Sequence, residues 1–231
     1  MAPTMDEGLH LYCLVEPDRS PPEGLRGLED GAVRRLDVGR LAAWVTALEG
    51  RPSPSLERVR RHNRVVEAAM SESSSPIPVR FGEWFGSREE LLDAVREDEG
   101  AYLRRLEGLR GAVEFGVRVV DPDRSAPAER PGAAESGRVY MERLARAHAE
   151  ERAARGDAER LAEALAAHVG SLARDARVDL RAPEGGLVSV AHLVARADEA
   201  AYRRAVGEFA ERTTDVQFRV SGPWPPYSFV E

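Results

Sequence analysis

Residues 113–137 read VEFGVRVVDPDRSAPAERPGAAESG, and this stretch decides the fold predicted for the chain. Its first part, 113–120, alternates apolar residues with polar or small ones, as a β-strand with one buried face does. The remainder contains three prolines and two glycines and has no apolar periodicity, which is typical of a linker. The chain is therefore predicted to contain two domains of similar size. They cover residues 1–121 and 138–231, and the linker covers 122–137.

The first domain is predicted to be an antiparallel sheet covered by helices, which places it in the α+β class. A short apolar run at 9–15 has the length of a strand, and 32–48 is typical of a hairpin. The segment after Ser55 has helical periodicity. The residues that share its apolar face are Leu56, Val59, Asn63, Val66 and Met70. We expect this face to pack on the core and the arginines between them to lie on the solvent side.

The second domain shows the element order α-β-β-α-β, which is compatible with a ferredoxin-like arrangement of helices on one face of a sheet. It begins with a long helical stretch from 137 to about 176, along which Leu161, Leu165, His168 and Leu172 form a stripe. The middle of that stretch, 150–157, has almost no apolar side chains. A helix of this composition is predicted to project from the body of its domain.

Composition limits the classes of function that fit the chain. It has 231 residues, of which 42% are apolar and 32% charged, so a disordered or fibrous protein is excluded. The net charge of −7 and the absence of a basic run argue against nucleic acid as a partner. The N-terminal residues do not resemble a secretion signal, and no apolar stretch approaches the length of a membrane span. These features predict a soluble, cytoplasmic protein without a membrane partner.

No motif of known catalytic chemistry occurs in the sequence. Phosphate-binding glycine loops, HExxH, GxSxG and CxxC are all absent, and the five histidines form no ligand-like pair. The single cysteine, Cys13, lies in an apolar strand, where a buried thiol is inert. We therefore predict that the protein is not an enzyme and that it uses no cofactor and no metal.

A polar cluster is predicted where the segment 77–81 meets the helix after Ser55. Arg80 stands between apolar residues of an extended segment, and burying it would require a carboxylate partner. Glu67 is the nearest candidate on the preceding helix, and His62 lies on the same helix. The three residues are expected to form a structural cluster in which Arg80 and Glu67 make an ion pair.

Aromatic residues suggest a surface for a partner. Three aromatics and three prolines fall within the last nine residues before Glu231, and prolines reduce the entropy lost when a tail docks. One interpretation is that this tail folds back and seals the junction between the two halves. The other is that it binds a partner together with the segment near 80–85. The partner-binding candidates are Arg80, Trp84, Phe85, Trp224, Tyr227 and Phe229.

Three segments resemble the gas vesicle protein F/L family. They are HNRVVEA at 62–68, PVRFG at 78–82 and GPWPPYSF at 222–229, and they occur in the order that the family shows. The resemblance extends over nearly the whole chain, although the linker carries none of the family's signals. It does not distinguish an F-type from an L-type member.

The resemblance implies a two-domain α+β accessory protein of gas vesicle formation, associated with gas vesicles and without catalytic residues. It also implies contact with the small hydrophobic shell protein and with other gas vesicle accessory proteins. An acidic partner suits this role, because the shell protein is strongly apolar and adheres to itself.

Two other functions stay open at the level of sequence. One is a small-molecule-binding sensor or enzyme built on ferredoxin-like domains, with a pocket near His62, Glu67 and Arg80. The other is a general scaffold that docks proteins through the solvated helix at 140–157.

Overall fold

The computed structural model describes residues 8–70, 75–121, 137–180 and 186–230. These residues form two compact units, one within Met1–Glu114 together with Pro223–Glu231, the other within Phe115–Gly222. Each unit contains an antiparallel sheet and helices, so the predicted α+β class is confirmed. Among the described helices, none combines the length and the apolar character that a membrane span requires.

The first unit is built around a sheet whose strands follow the order β2-β3-β1-β4, with β5 also paired to β1. The strands are β1 (Gly8–Val15), β2 (Arg34–Val38), β3 (Leu41–Leu48), β4 (Ile77–Pro78) and β5 (Trp84–Phe85). The helices are α1 (Leu56–Ala68), α2 (Arg88–Glu97) and α3 (Glu99–Leu109). Strand β1 is buried along its whole length because it lies at the centre of this sheet.

The helix starts in this unit follow from local sequence. Ser55 accepts a hydrogen bond from the Arg58 amide and begins α1, as the serine before the periodic segment predicted. Ser87 does the same for α2 through the amide of Glu90. The Glu90 carboxylate in turn accepts from the Gly86 amide at 2.7 Å, which completes a variant of the capping box.

A chain of hydrogen bonds fixes the loop between β1 and β2 to the core. The amide of Leu28 donates to the Tyr12 hydroxyl at 2.7 Å. That hydroxyl donates to Thr46 Oγ1 at 3.1 Å, and Thr46 donates to the carbonyl of Ala32 at 3.3 Å. Gly27 is required here, because a Cβ at this position would lie 2.1 Å from the Tyr12 hydroxyl oxygen.

The second unit is ordered β-α-β-β-α-β, and its strands follow the order β7-β8-β6-β9. This succession and strand order are compatible with the predicted ferredoxin-like arrangement. The strands are β6 (Ala112–Val120), β7 (Ala173–Asp179), β8 (Gly186–Ala195) and β9 (Gln217–Trp224). The helices are α4 (Gly137–Val169) and α5 (Glu199–Arg212).

The division into units differs from the predicted domains in two places. Strand β6 was predicted to end the first domain, but it lies inside the second sheet, between β8 and β9. The C-terminal segment Pro223–Glu231 was assigned to the second domain but belongs to the first unit. Alternation along a strand shows which residues face a core, but it does not show which sheet the strand joins. The predicted linker at 122–136 lies outside the described residues.

Helix α4 is buried only in its C-terminal half. The buried residues are Ala158, Ala162, Leu165 and Val169. Leu165 was predicted in this stripe, whereas Ala162 and Val169 are buried in place of their predicted neighbours Leu161 and His168. Among the described side chains between 141 and 153, all are exposed, and Met141 and Leu144 are 61% and 38% exposed. In the stretch 150–157 that was predicted to be solvated, the described side chains are exposed or half-buried.

Replacing Tyr12 with Phe tests the hydrogen-bond chain. Tyr12→Phe leaves the buried amide of Leu28 without its acceptor, and we expect a loss of about 1–3 kcal/mol in the free energy of unfolding. Urea unfolding followed by tryptophan fluorescence measures it, since Trp44, Trp84 and Trp224 all lie in the first unit. Tyr102→Phe, on α3, is the matched control and should change stability by less than about 0.5 kcal/mol. Equal effects of the two substitutions would contradict the prediction.

Candidate functional site

Helix α1 carries one apolar stripe, and only part of it is buried. The residues buried on this helix and at its C-cap are His62, Val65, Val66 and Ala69. Leu56 and Val59, by contrast, are 67% and 40% exposed. The prediction that the Leu56–Val59–Asn63 part of the stripe packs on the core is therefore wrong. Val66 of the same stripe is buried, so the stripe packs on the core only in its C-terminal part, and its first turn stays exposed.

The exposed face of α1 forms one wall of a groove of about 840 Å³. The other contributor is Trp224, which comes from the C-terminal segment and is 42% exposed. The residues that line the groove are Leu56, Glu57, Val59, Arg60, Asn63, Arg64, Glu67 and Trp224. Leu56 and Val59 thus meet Trp224, which lies more than 150 residues further along the chain, on one surface of the first unit. Exposed apolar residues grouped in this way mark interaction sites.

Two buried histidines hold the inner face of α1 against β1. His62 Nε2 donates to the carbonyl of Val79 at 2.8 Å, because a carbonyl can only accept. His62 Nδ1 is then the acceptor, and His10 Nε2 donates to it at 2.9 Å. Both rings are at most 2% exposed. The polar groups of this face are therefore joined across the core instead of facing solvent.

Burial keeps both imidazoles neutral in the folded protein. Burial, and secondarily the charge that His62 would carry, lowers the pKa of His10 to about 3. Burial likewise lowers the pKa of His62 to about 4. The pair is thus a structural hydrogen bond with no route to solvent, and it does not have the exposed, titratable ring that acid–base catalysis requires.

The predicted cluster of His62, Glu67 and Arg80 is not brought together. Glu67 accepts a hydrogen bond from the side-chain amide of Asn63 at 2.8 Å, instead of pairing with Arg80. The Arg80 side chain is exposed, so the burial that demanded a carboxylate partner does not occur. The prediction of an ion pair between Arg80 and Glu67 is therefore wrong. The two extended residues that precede Arg80 are buried or half-buried, but the segment turns outward at Arg80 itself.

The aromatic pair at 84–85 is half-buried and takes part in the sheet. Trp84 lies opposite His10 and Phe85 lies opposite Leu9 in the pairing of β5 with β1. The Trp84 ring crosses directly over Gly8, where a Cβ would come within 2.2 Å of it. These contacts give Trp84 and Phe85 a packing role in the first unit. Their assignment to partner binding, like that of Arg80, stays a prediction.

The C-terminal tail docks on the first unit. Phe229 is buried, and Tyr227 packs against the apolar cluster that includes Tyr12 and Val66. The Glu114 carboxylate accepts two hydrogen bonds from Ser228, one from its amide and one from its hydroxyl, each at 2.8 Å. Tyr227 and Phe229 thus serve the core of this unit, and of the three predicted tail aromatics only Trp224 lines the groove.

Little in the described residues suggests chemistry on a small molecule. No group of three or more His, Cys, Asp and Glu side chains in this part of the chain could hold a metal ion. Cys13 is fully buried, and burial raises the pKa of its thiol, so it has the inert character predicted from its strand. A second groove, of about 570 Å³, lies beside Glu29 and Arg58, and an ion pair at 2.7 Å joins these two residues.

The main residues of the groove were not predicted from the sequence. Leu56 and Val59 were expected in the core, and Arg60 and Arg64 on a solvated face. The signal that could have found them is the width of the apolar stripe, because at 3.6 residues per turn Leu56 lies about 120° around the helix from His62. Only one of the predicted partner residues, Trp224, contributes to this groove.

A family model and the relatives found by comparison with known proteins agree on one family. The family model described as "Gas vesicle synthesis protein GvpL/GvpF" matches residues 8–231. The chain is 30% identical to gas vesicle protein L of Streptomyces sp. (strain CB03234), over 95% of this chain and 91% of the relative. It is also 30% identical to gas vesicle protein F of the same strain, over 92% of this chain and 94% of the relative. The equal identities do not favour either type.

Solved structures show the same fold. The crystal structure of GvpF from Anabaena sp. PCC7120 superposes with a TM-score of 0.77 at 17% identity, covering 97% of this chain and 96% of that one. GvpF from Microcystis aeruginosa gives a TM-score of 0.73 at 15% identity, covering 97% and 99%. At such low identity the likeness establishes the architecture and carries no residue roles.

The buried histidine pair predicts a loss of stability in mild acid. Unfolded histidine has a pKa near 6.5, whereas the folded values are about 3 and about 4. Below pH 6.5 these histidines therefore bind protons in the unfolded state but not in the folded state. We expect the free energy of unfolding of the first unit to fall by about 1 kcal/mol per pH unit for each histidine as the pH decreases from 6.5 towards 4. Urea midpoints from tryptophan fluorescence at pH 7.5, 6.5 and 5.5 measure this before most carboxylates titrate.

The variant His62→Gln keeps a donor for the Val79 carbonyl and should reduce this pH dependence by about half, because His10 remains. The control is His148→Gln, on an exposed part of α4, which should leave it unchanged. A wild-type midpoint that is constant between pH 7.5 and 5.5 would exclude the neutral pair.

The contact between Glu114 and Ser228 predicts that one carboxylate retains the tail. Glu114→Ala removes both hydrogen bonds to Ser228, and hydrogen bonds to a charged acceptor contribute about 1.5–3 kcal/mol each. We expect faster proteolysis near the C-terminus and a melting temperature lower by several degrees. Glu107→Ala is the control, because it removes only an exposed ion pair with Arg110. If both variants are cleaved at the wild-type rate, the tail is held by other contacts.

Proposed function

Since the chain belongs to the GvpL/GvpF family of gas vesicle synthesis proteins, we propose that it contributes to gas vesicle formation by binding the small apolar shell protein. The observation that carries this proposal is the groove between α1 and Trp224. Leu56, Val59 and Trp224 expose large apolar surfaces there, and in the free protein these surfaces face water. Covering them with an apolar partner would release about 25 cal/mol for each Å² buried.

The shape of the groove fits a segment of a partner better than an extended flat interface. The lining residues of α1 run from Leu56 to Glu67, which is about 16 Å of helix. An apolar segment of about three turns could lie along it, with Trp224 as an aromatic anchor. The net charge of −7 would keep a complex with an adhesive subunit dispersed, because the acidic surfaces of neighbouring complexes repel. A role as an assembly factor is consistent with these properties.

The test of this function replaces exposed side chains and leaves the core intact. Removing the tail is unsuitable, because Tyr227 and Phe229 pack in the first unit. The informative variant is Leu56→Ser, Val59→Ser and Trp224→Ser combined, co-expressed with the host's small shell protein and recovered by an affinity tag. Anchors of this type contribute about 1–2 kcal/mol each, so we expect recovery of the shell protein to fall at least tenfold.

The matched control is Val178→Ser with Val220→Ser, which removes exposed apolar side chains from the second unit. It should recover as much shell protein as the wild type. Unchanged recovery with the triple variant, or an equal loss with the control, would reject the groove as the binding surface. Urea unfolding of each variant establishes that the difference is not one of folding.

A further inference from the structure

The arginines of α1 fall into two groups with different environments. Arg58 forms an ion pair with Glu29 at 2.7 Å, and Arg61 forms one with Asp30 at 3.0 Å. Arg60 and Arg64 are also exposed and line the groove, but within the described part of the chain they make no hydrogen bond or ion pair. Arg58 and Arg61 are thus paired with acidic side chains, whereas Arg60 and Arg64 have no such pair among the described residues.

These two arginines belong to a regular row of charges beside the apolar wall. Glu57, Arg60, Arg64 and Glu67 are spaced i, i+3, i+7 and i+10, and residues at such spacings lie on one helical face. The row therefore presents a negative end, two positive charges one turn apart, and a second negative end. Glu67 is engaged by Asn63, and the two arginines stand one turn apart at the centre of the row, where one partner helix can meet both. The adjoining row is apolar, with Leu56 and Val59.

We propose that the groove receives an amphipathic helix of a protein partner whose apolar face is edged by two acidic side chains one turn apart, facing Arg60 and Arg64. This inference rests on the proposed function and specifies the chemistry of the segment that binds. Helices pack along rows of this kind, and the i, i+4 spacing of the arginines matches the same spacing on a facing helix. Within this row the two arginines are neighbours, and together they form its positive centre, which attracts and orients an acidic segment.

Synthetic peptides test the charge preference without the shell protein. Three labelled 18-residue helical peptides share one leucine face and carry Glu, Gln or Lys at the two flanking positions. Binding to the full chain is followed by fluorescence anisotropy at 50 mM and 500 mM salt. Two rim ion pairs should make the Glu peptide bind about tenfold more tightly than the Lys peptide at low salt. The ratio should shrink at high salt, because exposed charges are then screened.

The decisive variant is Arg60→Gln with Arg64→Gln, which should bring the Glu-to-Lys ratio close to one. Arg104→Gln with Arg204→Gln removes the same net charge from exposed positions elsewhere and should preserve the ratio. A ratio near one in the wild type, a ratio that survives the Arg60 and Arg64 substitutions, or no binding of any peptide would overturn the proposal.

The two proposals fail in distinguishable ways. If peptides bind equally well whatever their charge, and Leu56→Ser with Val59→Ser abolishes that binding, the groove is an apolar site and only the acidic edge is wrong. If the Glu peptide is preferred but recovery of the shell protein does not depend on the groove, the inferred chemistry stands and the partner is another protein.

Discussion

The hydrogen bond between His10 and His62 decides how α1 lies on its sheet, and the candidate site depends on that orientation. The apolar stripe of α1 packs on the core in its C-terminal part, and the first turn does not. Placing His62 in the core requires a partner for each of its ring nitrogens, because an unpaired polar atom there is costly. His10 and the Val79 carbonyl supply these partners at 2.9 and 2.8 Å. With His62 held inward, Leu56 and Val59 at the start of the helix remain exposed.

The second wall of the groove is formed by Trp224, which lies near the C-terminal end of the chain. Trp224 is placed there because the residues after it are anchored on the first unit, by the burial of Phe229 and by the contacts of Ser228 with Glu114. The tail is therefore part of the scaffold of the site, and one of its aromatics is left for a partner. Family membership assigns the chain to gas vesicle formation, and the exposed groove suggests how it takes part.

The same α1 sequence carries both structural and binding roles, and spacing alone did not separate them. Arg58 and Arg61 are paired with acidic residues from the loop after β1, whereas Arg60 and Arg64 line the groove. In the sequence these four arginines look alike, since all stand between apolar positions of one helix. Their difference arises from a loop about thirty residues away whose two acidic residues adopt left-handed backbone conformations, with φ of 49° and 57°.

The sequence by itself determined what depends on local chemistry. The serine caps of α1 and α2, the strand alternation of β6, the α+β class and the family motifs were all predictable, because propensity, capping and periodicity act over a few residues. Only the tertiary structure decided which sheet β6 joins, which part of the apolar stripe of α1 is buried, and that Glu67 bonds Asn63 instead of Arg80. Each of these is a choice among competing partners, at least one of them distant in the chain, and local propensity does not rank such partners.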